Sequence, residues 1–375
     1  MQKLNIVQII SSYHLTGAAT PTLALASGLQ RLGHNIIFLC SSLKKNLVLD
    51  ARNRGVNAQT SLSLERSANP LKILSDISRL SGIIDKNRID IIHTHLSHDH
   101  WISMLSLFLS KTKPKIIRTI HNQKAAIKRA DSRILYSGGC NAITTISEFH
   151  KSQILRNFRI NDEKIKVIYG SVDTKYFNSS LSPLRIREEL SIPQNSPVIG
   201  LVSRFKPGRG HDLILKVLPF LKESYPDIRL IFAGRGETLA ETKRAVESRK
   251  LNQNVIFVGY RRNDLPELYA AMDILLLLGE GNDGSCRAAL EAMACGKPVV
   301  AFGFGAINEI ISDATNGMIA RDQDIEDLKT KLLILLKDME LRIKTGKEAR
   351  LTAEKYFDNE IEARAYEKLC IDLLR

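Results

Sequence analysis

The chain has 375 residues, of which 44% are hydrophobic and 25% charged, a composition that excludes an intrinsically disordered polypeptide. It is longer than one hydrophobic core usually supports, so two domains are expected. The net charge is +14, and residues 1–180 carry all of this excess, with 25 Lys and Arg against 11 Asp and Glu.

The basic first half predicts a polyanionic partner, because clustered cations gain free energy on approaching phosphates. The sequence has no aromatic-basic RNA motif and no recognition helix, so no nucleic-acid partner is expected. An anionic membrane surface is the predicted partner, with WISMLSLFL at 101–109 and the stretch 111–128 as the docking region. A basic surface that only keeps the protein in solution is the alternative.

The amino terminus and the cysteines indicate the compartment. The segment MQKLNIVQIISSYHLTG has a short apolar run that ends at polar residues, unlike a secretory signal. The longest apolar stretches are far shorter than the roughly 20 residues that cross a bilayer. The five cysteines include no CxxC pair, which argues against a zinc ribbon and a disulfide framework. We expect a cytoplasmic protein, peripheral on the inner face of the cytoplasmic membrane if the basic half binds lipid.

Apolar strands alternate with helix-length segments from the amino terminus onward. The series begins with the strand LNIVQII, the amphipathic helix TPTLALASGLQRLG and the strand HNIIFLC. It continues with the strands IDIIHTH, KIIRTIHN, AITTIS and KIKVIYG. This alternation predicts an α/β domain with a parallel sheet covered by helices on both faces.

A segment rich in Ser, Pro and Asn interrupts the alternation, which then begins again. We predict a linker at 179–196, followed by the strands PVIGLVS, RLIFAG, VIFVG, ILLLL and PVVAF. The expected architecture is two Rossmann-like, doubly wound domains, 1–178 and 197–350, that face each other across a ligand-binding cleft. Residues 351–375 are predicted to form a helical tail that packs back on the first domain.

The strongest chemical signal is the loop of small residues at 281–285, after the strand ILLLL. A helix is predicted to start near Ser285, so free backbone amides and the positive helix end suit a phosphate here. Asp283 and Glu291 are eight residues apart, within about 80° of each other around a helix. They can contact hydroxyls at two points of a long ligand, such as two sugars joined by a diphosphate. Taken singly, Asp283 would be an ordinary cap and Glu291 a buried, paired charge.

This region, with LEAMACGKPVVAF at its end, resembles the E-x7-E segment of family 4 (group 1) glycosyltransferases. The resemblance covers nearly the whole chain and implies the GT-B fold. It implies a retaining transferase that moves a sugar from a nucleotide diphosphate sugar, such as a UDP- or GDP-sugar, to a saccharide or lipid-linked acceptor. The expected setting is cell-envelope polysaccharide or lipopolysaccharide biosynthesis, with no metal and no other cofactor.

The resemblance implies two cations on the donor diphosphate. In SRFKPGRGHDLI, Arg204 and Arg209 align with the Arg and Lys of the family's G-R-L-x-x-x-K-G segment. Both are expected to act in catalysis, because they can neutralise charge on the departing nucleotide. Arg209 keeps the charge of the family's Lys with a different donor geometry.

Other donor contacts follow from the same alignment. Glu291 is expected on the ribose, and Asp283 on the transferred sugar as a catalytic group. Asp283 is one methylene shorter than the family's Glu, and Glu280 could substitute for it. The remaining expected donor-binding residues are Gly17, Tyr260, Gly284, Ser285 and Cys286.

Two shorter patterns give weaker evidence for donor contacts. The chain after Gly259 is expected to meet the nucleotide base, and Gly17 belongs to a loop where the family often has two glycines. We interpret Gly234 and Gly236 as turn formers, because an isolated GxG is weak evidence for a dinucleotide site.

The first domain contributes histidines. His121, at the end of KIIRTIHN, corresponds to a family histidine beside the donor sugar and is expected to be catalytic. The stretch HTHLSHDH reproduces the family's D-x-x-H-x-H pattern together with the preceding Asp90. The acceptor candidates in it are His93, His95, His98 and Asp99.

Two alternatives remain open on the sequence alone. The stretch HTHLSHDH is one step from HxHxDH, the two-metal motif of some hydrolases, with Ser97 where a histidine ligand should be. A metal-dependent hydrolase using the residues 93–100 is therefore one alternative. The other is a nucleotide-sugar epimerase of the same fold.

Overall fold

The computed structural model describes residues 3–12, 17–42, 46–65, 69–121, 130–279 and 286–375. These residues form two compact domains. The first contains the described residues up to Gly170 together with Asn359–Arg375, and the second contains those from Ser171 to Asp358.

The elements alternate along the described chain as the hydrophobic pattern predicted. The strands are β1 Asn5–Ile10, β2 Asn35–Cys40, β3 Ala58–Gln59, β4 Ile91–Thr94, β5 Lys115–Ile120, β6 Ala142–Thr145, β7 Ile165–Val167, β8 Val198–Val202, β9 Arg229–Ala233, β10 Val255–Gly259, β11 Ile274–Leu277, β12 Val299–Phe302 and β13 Gly317–Ala320. The helices are α1 Ala19–Arg31, α2 Asn46–Asn53, α3 Pro70–Lys86, α4 Ser97–Leu109, α5 Ala130–Ser137, α6 Glu148–Asn157, α7 Leu184–Glu189, α8 His211–Ser224, α9 Leu239–Ser248, α10 Leu265–Ala270, α11 Arg287–Ala294, α12 Ile307–Ile310, α13 Ile325–Lys337, α14 Met339–Tyr356 and α15 Asn359–Leu374.

The first domain is built on a parallel sheet with the strand order β3-β2-β1-β4-β5-β6-β7. The order reverses direction at β1, and Gln8 of β1 lies opposite His93 of β4 in the register. Ligands of open α/β sheets bind beyond the carboxyl ends of the strands at such a reversal. The topology therefore predicts ligand binding at the carboxyl ends of β1 and β4.

Alternate residues of β1 enter two different cores. Val7 and Ile9 pack in one hydrophobic cluster with residues of α3 and α4. Ile6 and Ile10 pack in the other, with residues of α1 and α15. Both faces of the sheet are covered, which is why the strand sequence is apolar nearly throughout rather than alternating.

The helix α15 belongs to the first domain although it ends the chain. It packs against α1, where a Cβ atom on Gly28 would be 2.9 Å from the Cβ of Ala363. The buried Nε2 atom of His34 lies 3.0 Å from the Oε1 of Glu367. The tail expected at 351–375 is therefore not one helix, since its first residues lie in α14 of the second domain.

The second domain is built on a parallel sheet with the order β10-β9-β8-β11-β12-β13, which reverses direction at β8. Its core contains residues of the sheet with α8 and α13. The segment predicted as a linker is part of this domain. Its Arg187 bonds the Asp273 carboxylate at 3.1 Å and the Ala271 carbonyl at 3.3 Å, which explains why the boundary lies at Gly170 instead.

Among the described helices, none has the length and apolarity that crossing a lipid bilayer requires.

Candidate functional site

Polar side chains meet near the carboxyl ends of β1, β4 and β5 in the first domain. Gln8 lies in β1, His95 follows β4 and His121 follows β5. The Nδ1 atom of His95 is 2.9 Å from the Nε2 of His121, and its Nε2 atom is 2.8 Å from the Oε1 of Gln8. With His93, whose ring centroid is 4.3 Å from that of His95, these residues form the histidine cluster.

His93 connects this cluster to the last helix. Its Nε2 atom is 2.5 Å from the Thr119 hydroxyl, and its ring centroid is 4.9 Å from that of Tyr366 in α15. The Tyr366 hydroxyl lies 2.9 Å from the Thr119 hydroxyl and 3.0 Å from the Thr144 hydroxyl. His93 and His95 are each 2% exposed. They are packed inside the domain, and their role as acceptor contacts stays a prediction.

Asp99 serves the local structure of α4. It is fully buried, and its carboxylate accepts hydrogen bonds from the backbone N–H groups of His95 at 3.1 Å and Leu96 at 2.9 Å. Asp99 is the third residue of α4, and its carboxylate bonds back to the N-cap residue Leu96, as the acidic residue of a capping box does. Asp99 therefore stabilises the start of α4, and its contact with the acceptor stays a prediction. His98 is partly exposed and stays an acceptor candidate.

The metal-site alternative requires His95, Asp99 and His100 to converge. Instead, His95 bonds Gln8, Asp99 caps its helix, and the Nε2 of His100 lies 2.9 Å from the Gly139 carbonyl. Over the described ranges, no three His, Cys, Asp or Glu side chains are grouped so that they could hold a metal ion. The spacing in HTHLSHDH therefore does not correspond to a shared ligand geometry.

Burial favours the neutral form of three histidines of the first domain, His93, His95 and His100. Desolvation lowers the pKa of His93 and of His95 well below the usual value of about 6.5. Burial lowers the pKa of His100 to about 3. It acts in the opposite sense on the Asp99 carboxyl, whose pKa it raises to about 6, because desolvation always disfavours the charged form.

We expect the first domain to lose stability as the pH falls below about 6.5. The unfolded chain then binds protons on His93, His95 and His100 that the native state cannot bind, at a cost of up to about 1.4 kcal/mol per histidine and pH unit. Asp99 partly offsets this loss, since its raised pKa lets the native state bind a proton first. The free energy of unfolding should fall by about 2 kcal/mol between about pH 6.5 and 5.5.

Urea denaturation followed by the fluorescence of Trp101, the only tryptophan of the chain, measures this slope. The variant His100→Gln should reduce the slope by roughly 40%, because it removes one of three titrating histidines and leaves the Asp99 offset in place. An unfolding free energy that stays constant over this pH range would contradict the expected neutrality of the buried histidines.

In the second domain, Arg204 and Arg209 lie on the loop between β8 and α8, after the carboxyl end of β8. Arg204 is exposed and Arg209 is partly exposed. The backbone on either side of Arg204 is held, since the Ser203 N–H donates to the Ala233 carbonyl at 2.9 Å and the Phe205 N–H donates to the Arg235 carbonyl at 3.1 Å. Both cations therefore lie where a ligand of this sheet would bind.

Gly234 and Gly236 allow this loop to pack closely on the chain after β9. A Cβ atom on Gly234 would lie 1.9 Å from the Ser203 carbonyl oxygen, and one on Gly236 would lie 2.0 Å from the Phe205 carbonyl oxygen. Any side chain here would push the arginine loop away. The glycines thus serve a steric purpose, beyond the turn formation that the sequence suggested.

The helix α11 begins at Arg287, two residues later than predicted. Cys286 precedes it as a buried N-cap residue in the left-handed region, at φ 50°. Three predicted donor-site residues fall outside the described part of the chain, namely Asp283, Gly284 and Ser285. The described part of the site therefore begins at the first turn of α11.

Glu291 lies in the second turn of α11 and contacts a buried tyrosine. The Tyr269 hydroxyl donates a hydrogen bond of 2.8 Å to the Oε2 of Glu291. Burial and the nearby Glu291 carboxylate raise the pKa of Tyr269 well above its usual value. The hydroxyl therefore keeps its proton and acts as a donor, which orients the carboxylate.

Two further predicted residues are at the surface. Tyr260 is 60% exposed, and the Arg235 guanidinium lies 4.8 Å from its ring centroid, a cation–π contact. Gly17 is exposed before the start of α1, while the neighbouring Thr16 lies outside the described residues.

Sequence reasoning missed Gln8, Tyr269 and Tyr366. Gln8 had a visible signal, because it is a single amide inside the apolar strand LNIVQII. Tyr269 and Tyr366 had none, since aromatic residues at helical spacing usually belong to the core. The contact of Tyr366 with Thr119 joins residues 247 positions apart, which only the return of α15 to the first domain reveals.

Comparisons with known proteins agree with this architecture. The family model "Glycosyltransferase Family 4" matches residues 15–176, and the model "Glycosyl transferases group 1" matches residues 184–352. Together they match most of the chain. The N-acetyl-alpha-D-glucosaminyl L-malate synthase of Bacillus anthracis is 25% identical over 358 residues, which cover 94% of this chain and 92% of that protein.

Solved structures resemble the chain over its full length. A glycosyltransferase from Rickettsia africae has a TM-score of 0.85 at 23% identity and covers 100% of both chains. The HepE protein of Anabaena in complex with UDP-glucose has a TM-score of 0.83 at 18% identity, covering 98% of this chain and 100% of its own. These similarities confirm the fold, and the family models confirm the enzyme class. The chain belongs to the family 4 (group 1) glycosyltransferases and has the GT-B fold.

Proposed function

We propose that this glycosyltransferase moves a sugar, with retention of configuration, from a UDP-sugar to a saccharide or lipid-linked acceptor. The observation that carries the proposal is the Glu291 carboxylate, held by Tyr269 at 2.8 Å in the segment that the group 1 model matches. A fixed, partly exposed carboxylate is suited to accept hydrogen bonds from two ribose hydroxyls. UDP is favoured over GDP because the similar Anabaena protein was solved with UDP-glucose.

The arginine loop is proposed to hold the donor diphosphate. Arg204 and Arg209 follow the end of β8. Gly234 and Gly236 pack closely on the backbone around Arg204, and a Cβ atom on Gly279 would lie 2.9 Å from the Cα of Arg209. Preorganised cations stabilise charge that develops on a leaving group without reorganisation at the moment of reaction. Tyr260, exposed beside Arg235, is proposed to lie near the nucleotide base.

Asp283, His121 and the amides of Gly284 and Ser285 complete the proposed reaction. The acceptor oxygen bonds to the anomeric carbon on the face from which the diphosphate leaves, and the bond from that carbon to the diphosphate oxygen breaks. The acceptor proton passes to the departing diphosphate oxygen. Asp283 stabilises the positive charge of the sugar, and His121 contacts its hydroxyls. No side-chain nucleophile is required.

A thermal-shift screen of nucleotides and nucleotide sugars tests the donor. A ligand at about 100 times its Kd stabilises the native state by about 2.7 kcal/mol, so UDP and one UDP-sugar should raise Tm by about 5 °C. GDP should have a much smaller effect. The proposal fails if no nucleotide sugar shifts Tm. Product analysis separates an epimerase, which would convert the donor without any acceptor.

The acceptor is proposed to be a saccharide or glycolipid of the cell envelope. The Bacillus anthracis relative is named for a malate glycoside, so a small hydroxy acid is the second acceptor class. UDP release measured with each class separates the two. Among the predicted acceptor contacts, His98 is partly exposed at the start of α4.

Binding to an anionic membrane through the first domain is proposed at the end of α4. Phe108 and Leu109 are 80% and 61% exposed there, and Lys111 follows them. Much of the segment WISMLSLFL is internal, with Ile102 buried. The Lys113 ammonium donates to the Ser110 carbonyl at 2.6 Å, within the chain itself. The predicted docking surface is thus reduced, in the described residues, to the end of this helix.

Co-sedimentation with vesicles tests this surface. We expect binding to anionic vesicles and little to neutral ones, and Phe108→Ser should weaken the binding by about tenfold, as expected for one phenylalanine that leaves lipid. Phe220→Ser, at a 47% exposed position of α8, is the matched control. Equal binding to both kinds of vesicle at moderate salt would remove the proposal.

A further inference from the structure

Gln8 is a buried amide that the proposed reaction does not use. It is fully buried in β1, and its Oε1 lies 2.8 Å from the Nε2 of His95. Its own Nε2 atom is buried without a hydrogen-bond partner in the described structure. An unsatisfied buried amide costs free energy that an apolar residue of the same size would avoid. The contact with His95 is therefore the expected reason for a polar side chain at this buried position.

We propose that Gln8 and His95 are positioning residues that fix the hydrogen atom on the Nε2 of His121. This proposal rests on the proposed function, which places His121 beside the donor sugar. It extends that function by assigning the ring nitrogen of His121 that a substrate hydroxyl meets.

Burial and the neighbouring His93, His121 and Arg118 keep His95 neutral. A neutral imidazole has one N–H donor and one acceptor nitrogen. The carbonyl oxygen of Gln8 can only accept, so the Nε2 of His95 carries the hydrogen and donates. The Nδ1 of His95 is then an acceptor.

This acceptor determines the state of His121. The Nδ1 of His95 lies 2.9 Å from the Nε2 of His121, so that Nε2 must donate and must carry a hydrogen. The conclusion holds whether His121 is neutral or protonated, because the Nε2–H is present in both forms. In the neutral form the Nδ1 of His121 is the acceptor nitrogen, which suits a sugar hydroxyl as its donor.

The side chains around His95 keep its ring in this orientation. The ring of His93 lies 4.3 Å away on one side, and the stacked ring of His121 lies 5.2 Å away, centroid to centroid. His93 is itself held by the Thr119 hydroxyl, which the Tyr366 hydroxyl contacts at 2.9 Å. The orientation of the Gln8 amide then decides the tautomer, since a reversed amide would place hydrogens on the Nδ1 of both His95 and His121.

Nitrogen-15 NMR of the histidine-labelled, full-length protein tests the assignment directly. We expect both His95 and His121 to carry hydrogen on Nε2 in the wild type. A wild-type spectrum with hydrogen on the Nδ1 of neutral His95 would overturn the proposal, and this measurement needs neither substrate nor a variant.

Substitution of Gln8 provides the second test. Gln8→Met keeps the size and removes the acceptor, so we expect the tautomer signal of His95 to change and kcat to fall about tenfold, with the donor KM within about twofold. Gln8→Glu keeps an acceptor and should preserve the wild-type tautomer and a higher kcat than Gln8→Met. Gln30→Met, at an exposed position of α1, is the matched control.

Unchanged tautomers and kcat in Gln8→Met would overturn the proposal. The variant His121→Ala separates this outcome from a failure of the proposed function. Full activity in His121→Ala would remove the role of His121 in transfer, while the NMR result would still decide whether Gln8 and His95 fix its hydrogen.

Discussion

Arg209→Ala should lower kcat for sugar transfer by about 100-fold or more, the usual effect of removing one preorganised group that stabilises a leaving oxyanion. Arg209 lies on the loop between β8 and α8, after a strand end where the paired backbone holds the neighbouring Arg204. With a freely moving cation, part of the interaction free energy would be lost to ordering the side chain in each turnover. Here the loop backbone is ordered before the donor arrives, so the loss on substitution should fall mainly on kcat.

Initial rates with the donor found in the nucleotide screen measure this effect. Arg209→Lys should keep most of the activity, because the family's pattern has a lysine at the aligned position. Lys206→Ala removes a cation from the same loop at a partly exposed position and should stay within about twofold of the wild type. A similar loss in Lys206→Ala and Arg209→Ala would show that the loop provides only a general positive field.

Glu291→Ala should raise the KM for the donor by about 10- to 100-fold, which corresponds to the loss of charged hydrogen bonds worth about 1.5–3 kcal/mol. The effect should be larger on KM than on kcat, because a ribose contact exists equally in the ground state and the transition state. Isothermal titration with UDP measures the same loss without an acceptor.

Tyr269→Phe tests how the carboxylate is held. It removes the 2.8 Å hydrogen bond to Glu291 and keeps the buried ring, so UDP should bind about three- to tenfold more weakly. The variant should make no further difference in the Glu291→Ala background, since the hydroxyl acts through that carboxylate. Additive losses in the double variant would mean that Tyr269 supports UDP binding independently of Glu291.

The fold was largely predictable from the sequence, because buried strands of a parallel sheet are apolar nearly throughout. Strands such as NIVQII and VVAF are recognisable for that reason, and the residues between them have helical spacing. The domain boundary was less predictable. The Ser- and Pro-rich segment looked like a linker, but Arg187 attaches it to Asp273 within the second domain.

The candidate site residues of the second domain were easier to identify from the sequence than those of the first domain. Arg204, Arg209 and Glu291 were identified as candidates from short motifs. The two arginines follow a strand end, and Glu291 lies in the second turn of α11. The spacing in HTHLSHDH did not show which of its side chains lie together, since residues at neighbouring positions of a strand end and a helix start point in different directions. His93 and His95 enter the buried cluster, and Asp99 caps α4.

The sequence by itself determined the class of the protein and the order of its strands and helices, and it identified candidate cationic and acidic site residues in the second domain. These depend on local patterns of hydrophobicity and on short motifs, which are visible in a linear chain. Only the tertiary structure decided that Tyr366 of the last helix supports His93, that Tyr269 holds Glu291, and that Gln8 bonds His95. Those contacts join distant parts of the chain, and hydrogen-bond partners are chosen by distance and direction, which depend on how the helices and strands pack.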